Sequence, residues 1–391
     1  MGKAVIIGAR RTPQGKMLGG LSSLSAIELG VIASKAAIQD SGVDPKQIQH
    51  CLFGNVLQAG LGQNPARQVA VGAGLSWETI SISTNKLCLS GSTSIIDAAR
   101  MIQTGEADVI LAGGMESMTN APHLLMNSRK GHSYGDAKLI DHMAHDGLAD
   151  AFDDISMGSS TQHYTDKHPE LTREAQDAYS AMSHQRAAEA TKSGVFEKEI
   201  APVEITDRKG NVSVIDTDEG IRAETTVESL ARLRPAFSKD GTITAGNASQ
   251  ISDGAAAVVV VSEEFAQKHG HKILATIEGY GTVAGPDNSL LSQPANAIKK
   301  ALSQNNWSLE DLKLIEINEA FASVALKSMA ELGVDESVVN IHGGAISLGH
   351  PIGASGTRLA VHAIHQLNAG EKAAIGLCGG GGQGDAIVFS A

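Results

Sequence analysis

The chain has 391 residues, 42% hydrophobic and 19% charged, with a formal net charge of -12 at neutral pH. That length accommodates two or three domains, and the composition is globular rather than disordered. The acidic balance argues against a nucleic-acid surface or an anionic membrane as partner, since both call for a basic face.

The first run, AVIIGARR at 4–11, reads as an apolar strand and is not preceded by a leader-like pattern. The longest purely apolar stretch, AAAVVVV at 255–261, is far short of the ~20 residues that span a bilayer. A soluble, cytoplasmic protein is expected. Glycine is abundant, at 43 residues, and aromatics make up only 3%, which predicts many tight turns and a core of Ala, Val, Ile and Leu between sheets and helices.

A helix-period run, IELGVIASKAAIQDSG, is followed by the strand-like HCLFGN and then by NKLCLSGSTSI at 85–95. Cys88 stands just ahead of a helix whose apolar face is Ile95, Ala98, Ala99 and Ile102. Read from this segment alone, Cys88 is either an inert buried thiol or a nucleophile whose thiolate is favoured by the helix N-terminus. The three cysteines, Cys51, Cys88 and Cys378, are too few and scattered for a disulfide framework or a zinc site.

SGSTSIIDAARMIQTGEADVILAGG from Ser90 returns as SGTRLAVHAIHQLNAGEKAAIGLCGG from Ser355, at one offset (355 − 90 = 265; 370 − 105 = 265). Upstream, DPKQIQHCLFGN and SLEDLKLIEINE align at 308 − 44 = 264. The chain is an internal duplication, each half alternating strand and helix and expected to form a helix-covered, largely parallel sheet. AVIIGARRTPQG and ILATIEGYGTVAG are candidate first strands of the two copies. Residues 1–118 with 249–269 form the first half and 270–391 the second. The intervening 119–248 differ in texture and read as an inserted, helix-rich lobe, with TREAQDAYSAMSHQRAAEATKSG from Thr172 as a capped helix.

The duplication sets Asn85 opposite His350 and Cys88 opposite Gly353, at turns where open α/β sheets carry ligands. Cys378 ends an apolar strand and opens into GGGGQG, whose backbone amides suit an oxyanion. Only DAIVFSA follows that loop, leaving no room for the helix of a dinucleotide fingerprint. Taken singly, Cys378, His350 and Asn318 each have a structural reading, Asn318 as a helix cap. Together with Cys88 they are the inventory of nucleophile, base, second acid/base and oxyanion donor.

The motifs NKLCLSG, GGMESMTNAPHLL, HDGLADAF, LRPAF, TAGNAS, NEAFA, VNIHGGAISLGHPIGASGTR and CGGGGQG run in this order along essentially the whole chain. In this the sequence resembles the thiolases, the biosynthetic acetyl-CoA acetyltransferases among them most closely. The resemblance implies an α/β thiolase fold: two duplicated, helix-covered mixed sheets layered αβαβα, with an inserted loop domain. It implies Cys88 as the acyl-accepting nucleophile, His350 as its base and Cys378 as the second acid/base. It implies Asn318 holding a water at the enolate oxygen, with the N–H groups of Cys88 and Gly380 for the tetrahedral oxyanion. CoA contacts carried over from the family are Leu148, Met157, Arg222, Ser229, Ala236, Phe237, Ala245, Ser249, Ala320 and Phe321.

The resemblance further implies acyl-CoA substrates, no metal and no cofactor beyond CoA as substrate and product. A homotetramer assembled through 127–143 is also implied. DHMAHD at 141–146 reads as a solvated or interface segment rather than a metal cluster. Two departures fall near the acyl end: Ser156 where some biosynthetic members carry His, and SLLSQP at 289–294 where many carry Met-Gly. They keep a degradative 3-ketoacyl-CoA thiolase in view as a rival. A ketosynthase-like enzyme would use two histidines, and a non-catalytic acyl-CoA carrier has no use for four such groups.

Overall fold

Near-continuous runs of apolar and small residues, buried on both faces, form the central strands, and runs with helical spacing cover them. The computed structural model describes residues 2–391. In the first half lie β1 (Ala4–Arg11), α1 (Ala26–Ser41), β2 (His50–Gly54), α2 (Pro65–Gly72), β3 (Ile80–Thr84), α3 (Ser90–Thr104) and β4 (Val109–Ser117). The inserted stretch carries α4 (Met157–Thr165) and α5 (Arg173–Lys192), the latter capped by Thr172 Oγ, which accepts from the Ala175 N–H at 3.2 Å. The main elements after it are β5 (Ser252–Ser262), β6 (Ala275–Ala284), α6 (Gln293–Leu302), β7 (Leu314–Ile317), α7 (Ala322–Leu332), α8 (Ala345–Leu348), α9 (Ser355–Gln366), β8 (Lys372–Gly379) and β9 (Gln383–Ser390), with a short helix Glu263–His269 between β5 and β6.

The strands order as β7-β8-β9-β6-β1-β5-β4-β2-β3, with Gly15–Lys16 pairing on β5 as a tenth. The two copies thus meet at β1 and β6, where Ala4, Val5 and Ile6 pair antiparallel with Ile277, Thr276 and Ala275. Outward from that seam, β5, β4 and β2 on one side answer β9, β8 and β7 on the other. The counterpart of β3 shrinks to a bridge between Ile315 and Val339.

The expectation of largely parallel halves is corrected. Only β3, β2 and β4, and separately β7 and β8, run parallel; β1, β5, β6 and β9 pair antiparallel. The reason is connectivity. β5 arrives from the insertion and threads between β1 and β4, while β9 turns straight back from β8 through a glycine hairpin, so neither is delivered by a crossover helix.

Five layers follow from which residue of each strand faces which way. Val258 and Val260 of β5 point inward with Ile95, Ala99 and Ile102 of α3 and Leu359, Ala360 and Ala363 of α9. Val259 and Val261 point outward with α1 and α2. On the second half, Ile315, Ala374 and Val388 face α6 and α7. The layers are therefore α1 and α2, a sheet half, α3 with α9, a sheet half, and α6 with α7. Fully burying each Leu or Ile contributes about 1.5–3 kcal/mol before entropy is counted.

The repeated Ser-Gly now has a cause. A Cβ on Gly91 would sit 2.9 Å from the Thr357 backbone nitrogen, and one on Gly356 would sit 2.3 Å from that of Ser92. Only glycine lets the first turns of α3 and α9 touch backbone to backbone.

A buried charge cluster ties the halves to the insertion. Arg11 donates from Nε to Glu199 at 2.6 Å and from Nη1 and Nη2 to Asp218 at 2.7 and 2.9 Å. Glu199 also meets His362 Nδ1 at 2.8 Å, and Glu316 lies 3.7 Å from Arg358. Burial alone would raise the Glu199 carboxyl, yet His362 and Arg11 pull it down to about 2. Burial opposes charge on His362, but Glu199 and Glu316 hold its pKa above the ordinary imidazole value. No helix among the described residues is long and apolar enough to cross a membrane.

Replacing Arg11 by Met strands two buried carboxylates and should cost about 3–5 kcal/mol in urea denaturation. The raised His362 pKa means that the folded state holds this proton more tightly. Its stabilising contribution is complete below about pH 6.5 and is lost as pH rises through the raised value, so His362→Gln should flatten the decline of stability as pH rises from about 6.5.

Candidate active site

Cys88 lies on the short loop between β3 and α3, and that loop is held in an unusual shape. Leu87, directly before it, has φ 52°, a left-handed conformation unfavourable for a branched side chain that must be held by its surroundings. The Leu87 N–H donates to Asn85 Oδ1 at 3.1 Å, and Ser90 Oγ donates to the Leu87 carbonyl at 2.6 Å. Lys86 Nζ reaches Asp385 of β9 at 2.7 Å, and the other oxygen of that buried carboxylate accepts from Thr93 Oγ1 at 2.8 Å. The ion pair ties the Cys88 loop to the hairpin that carries Cys378.

His350 follows α8 and Gly349, whose φ is 112°. Its Nε2 lies 3.2 Å from Cys88 Sγ and 3.4 Å from Asn318 Nδ2. Asn318 stands just past β7, fully buried, its backbone N–H donating to the Gly376 carbonyl at 2.9 Å; the helix-cap reading is corrected, since the N-cap of α7 is Phe321. Glu116 braces the His350 loop against the first half. Its carboxylate accepts from the N–H groups of Val56, Leu57 and Gly353 at 3.1, 3.0 and 2.9 Å, and from Asn55 Nδ2 at 2.8 Å.

The segment by itself left Cys88 open between a buried neutral thiol and a thiolate favoured by the helix N-terminus. Burial dominates and, despite the donor at its own backbone nitrogen, pushes the thiol up to about 12. Burial, helped by Arg358, pushes His350 down to about 3. The resting pair is thus a neutral thiol facing a neutral imidazole, with the Cys88 proton within reach of Nε2.

Cys378 ends β8 and is fully buried, its thiol also pushed up by burial and by the nearby Cys88. The following glycines form the β8–β9 turn, with Gly381 and Gly382 at φ 76° and 68°. Around Cys378 pack Leu290, Leu291, Ala320 and Phe321, with Met157 and Phe237 against them. Phe237 and Phe321 meet edge to face, centroids 6.2 Å apart. Leu148 belongs instead to the cluster containing Leu87, Cys88 and Ile352.

The other carried-over positions are spread along the lobe. Ser249 donates its N–H to the Ala320 carbonyl at 3.0 Å. Arg222, Ser229, Ala236 and Ala245 are exposed, and the Ser229 hydroxyl is engaged by Thr226 within a one-turn helix. Both acyl-end departures have structural explanations: Ser156 caps α4 through the Ser159 N–H at 3.1 Å, and SLLSQP supplies Leu290 and Leu291 to the Cys378 cluster. In DHMAHD, Asp146 pairs with His142 and His145 at 2.5 and 2.6 Å. Lys86, Asp385, Glu116 and Ser355 were not singled out from the sequence. Only Ser355 carried a signal, as the repeat of Ser90.

Comparison with known proteins converges on one family. The family model described as "Thiolase, N-terminal domain" matches residues 4–264, and "Thiolase, C-terminal domain" matches 271–391. A Mycolicibacterium smegmatis protein named "Probable acetyl-CoA acetyltransferase" is 54% identical over 98% of this chain and 100% of its own length. Human mitochondrial 3-ketoacyl-CoA thiolase superposes with TM-score 0.95 at 38% identity, covering 100% of this chain and 99% of its own. Acat5 thiolase from Ascaris suum, solved in complex with coenzyme A, superposes with TM-score 0.93 at 39% identity, covering 99% of each. Two matched halves, their order and the full-length superpositions make this chain a member of the thiolase family.

Proposed function

We propose that the protein is an acetyl-CoA C-acetyltransferase. It joins two acetyl-CoA into acetoacetyl-CoA and CoA through an acetyl group on Cys88, and catalyses the reverse thiolysis. The observation that carries this reading is the convergence of Cys88 Sγ, His350 Nε2 and Asn318 Nδ2 within 3.2 and 3.4 Å.

Cys88 passes its proton to His350 Nε2 as the sulfur attacks the first thioester. The tetrahedral oxyanion is met by the N–H groups of Cys88 and Gly380, donors worth about 3–4 kcal/mol each in barrier. Collapse expels the CoA thiolate, which takes the Cys378 proton. The Cys378 thiolate then removes an α-proton from a second acetyl-CoA. The enolate oxygen forms against protonated His350 Nε2 and, through a bridging water, the Asn318 amide. The carbanion attacks the acetyl group, and the departing Cys88 thiolate recovers its proton from His350. These groups complete the acid/base chemistry without a metal or organic cofactor.

The inserted 119–248 serve as the CoA-binding lobe, with Met157, Phe237, Ala320 and Phe321 against the pantetheine arm and Arg222 among the cations available to phosphate. The packed Leu290 and Leu291 favour a short acyl group, which ranks the broader 3-ketoacyl-CoA thiolase second. Three free thiols suit a reducing, cytoplasmic compartment.

A second copy of the chain is the expected partner, in a homotetramer. Edge strand β3 leaves Ile80 and Ile82 57% and 49% exposed beside Trp77, an unguarded edge that suits antiparallel pairing with its own twin. The exposed Tyr134 and Leu139 of 127–143 suit a second contact.

Because the resting pair is neutral, ultraviolet thiolate absorbance at pH 7.5 should be the same for wild type and Cys88→Ser. A thiolate band lost on substitution would refute the neutral pair. In thiolysis assays, acetoacetyl-CoA should be preferred over 3-ketooctanoyl-CoA by about tenfold or more in kcat/KM, with Cys88→Ser inactive on both. Comparable use of the longer substrate would move the protein to the degradative branch. Ile80→Lys with Ile82→Lys should lower the assembly mass in mass photometry; an unchanged tetramer would place the interface elsewhere.

A further inference from the structure

The duplication sets a serine at the same point of both halves, and the halves use it differently. In the first, Ser90 opens α3; its Oγ accepts from the Lys86 N–H at 2.8 Å and donates to the Leu87 carbonyl. Its counterpart is Ser355, opening α9 (355 − 90 = 265), and the counterpart of Lys86 is Pro351 (351 − 86 = 265). Proline has no N–H to give. The oxygen of Ser355 is therefore left open on the side where Ser90 is occupied, and His350 Nδ1 lies there at 2.6 Å.

The proton assignment follows from both sides of the ring. Ser355 Oγ donates to the Pro351 carbonyl at 2.9 Å, so toward Nδ1 it offers a lone pair. On the other side, Nε2 faces two donors, the Cys88 thiol at 3.2 Å and the Asn318 amide nitrogen at 3.4 Å. A neutral imidazole has one N–H and one lone pair, and only the Nδ1–H form satisfies all four contacts. The Nδ1 side is enclosed: Ser355 is 1% exposed and His350 6%.

We infer that Ser355 is a positioning residue that holds His350 as the Nδ1–H tautomer, aiming the Nε2 lone pair at Cys88, and that Pro351 frees the serine oxygen to do so. The opposite tautomer would point an N–H at the sulfur and could not take its proton. The same bond steadies the imidazolium after proton transfer, since Nδ1–H then donates to an oxygen already in place.

This inference rests on His350 as the base for Cys88, and the two are tested apart. Loss of Cys88 acylation in His350→Asn tests the base. The tautomer is read from the 15N spectrum of histidine-labelled full-length protein, with the His350 signals identified by their absence in His350→Asn. A protonated Nδ1 and an unprotonated Nε2 are expected at neutral pH.

Ser355→Ala should slow acylation by about tenfold or more, as wrong-tautomer substitutions do elsewhere, and leave KM within about twofold. Pro351→Ala restores a backbone N–H that competes for Ser355 Oγ, and should shift the tautomer and slow acylation in the same direction. A protonated Nε2 in wild type overturns the proposal, as does wild-type acylation in both variants. If the variants fail to fold, the wild-type spectrum alone decides.

Discussion

Contact between the first turns of α3 and α9 is the constraint on which the rest of the molecule depends. Gly91 and Gly356 let two helix starts meet backbone to backbone in the middle layer. The loops entering those helices carry Cys88 and His350, so the 3.2 Å between thiol and imidazole is inherited from helix packing. Neither half could make that contact alone. Side chains then guard the spacing from both directions: Lys86 and Asp385 hold the Cys88 loop to the second half, and Glu116 holds the His350 loop to the first.

The same middle layer removes most water from His350 and part of it from Cys88, and this weighs against charge on either. In a wetter site a cysteine near a helix start would tend toward thiolate. Here desolvation outweighs the local donors and keeps both partners neutral at rest. The left-handed Leu87 is part of the cost of presenting the thiol at that angle.

Much of this architecture was legible in the residues. The Ser-Gly repeat at one offset revealed the duplication, helix-period runs located α1, α3, α5 and α9, and the motif order carried the family. Strand direction was not legible, because a continuous apolar run reports that a strand is buried on both faces and not which way it runs; β5 reaches its place only after the long insertion. The ionisation of Cys88 stayed open because a sequence shows the helix start but not the burial that opposes charge on the thiol. The Lys86–Asp385 pair joins residues 299 apart, and nothing local to either predicts the other. Ser355 was in plain view as a repeat, yet its use depends on what a proline lacks four residues upstream.

The seam at β1 and β6 has a consequence for symmetry. Two identical half-length chains meeting about such a seam would have to present the same residues from both sides. Joined in one polypeptide, the copies are free to disagree: cysteine faces glycine at one pair of equivalent positions, and asparagine faces histidine at another. A reaction that needs a nucleophile on one side and a base on the other is asymmetric by nature. Fusion of the repeats is what permits an asymmetric centre to sit near an almost symmetric axis.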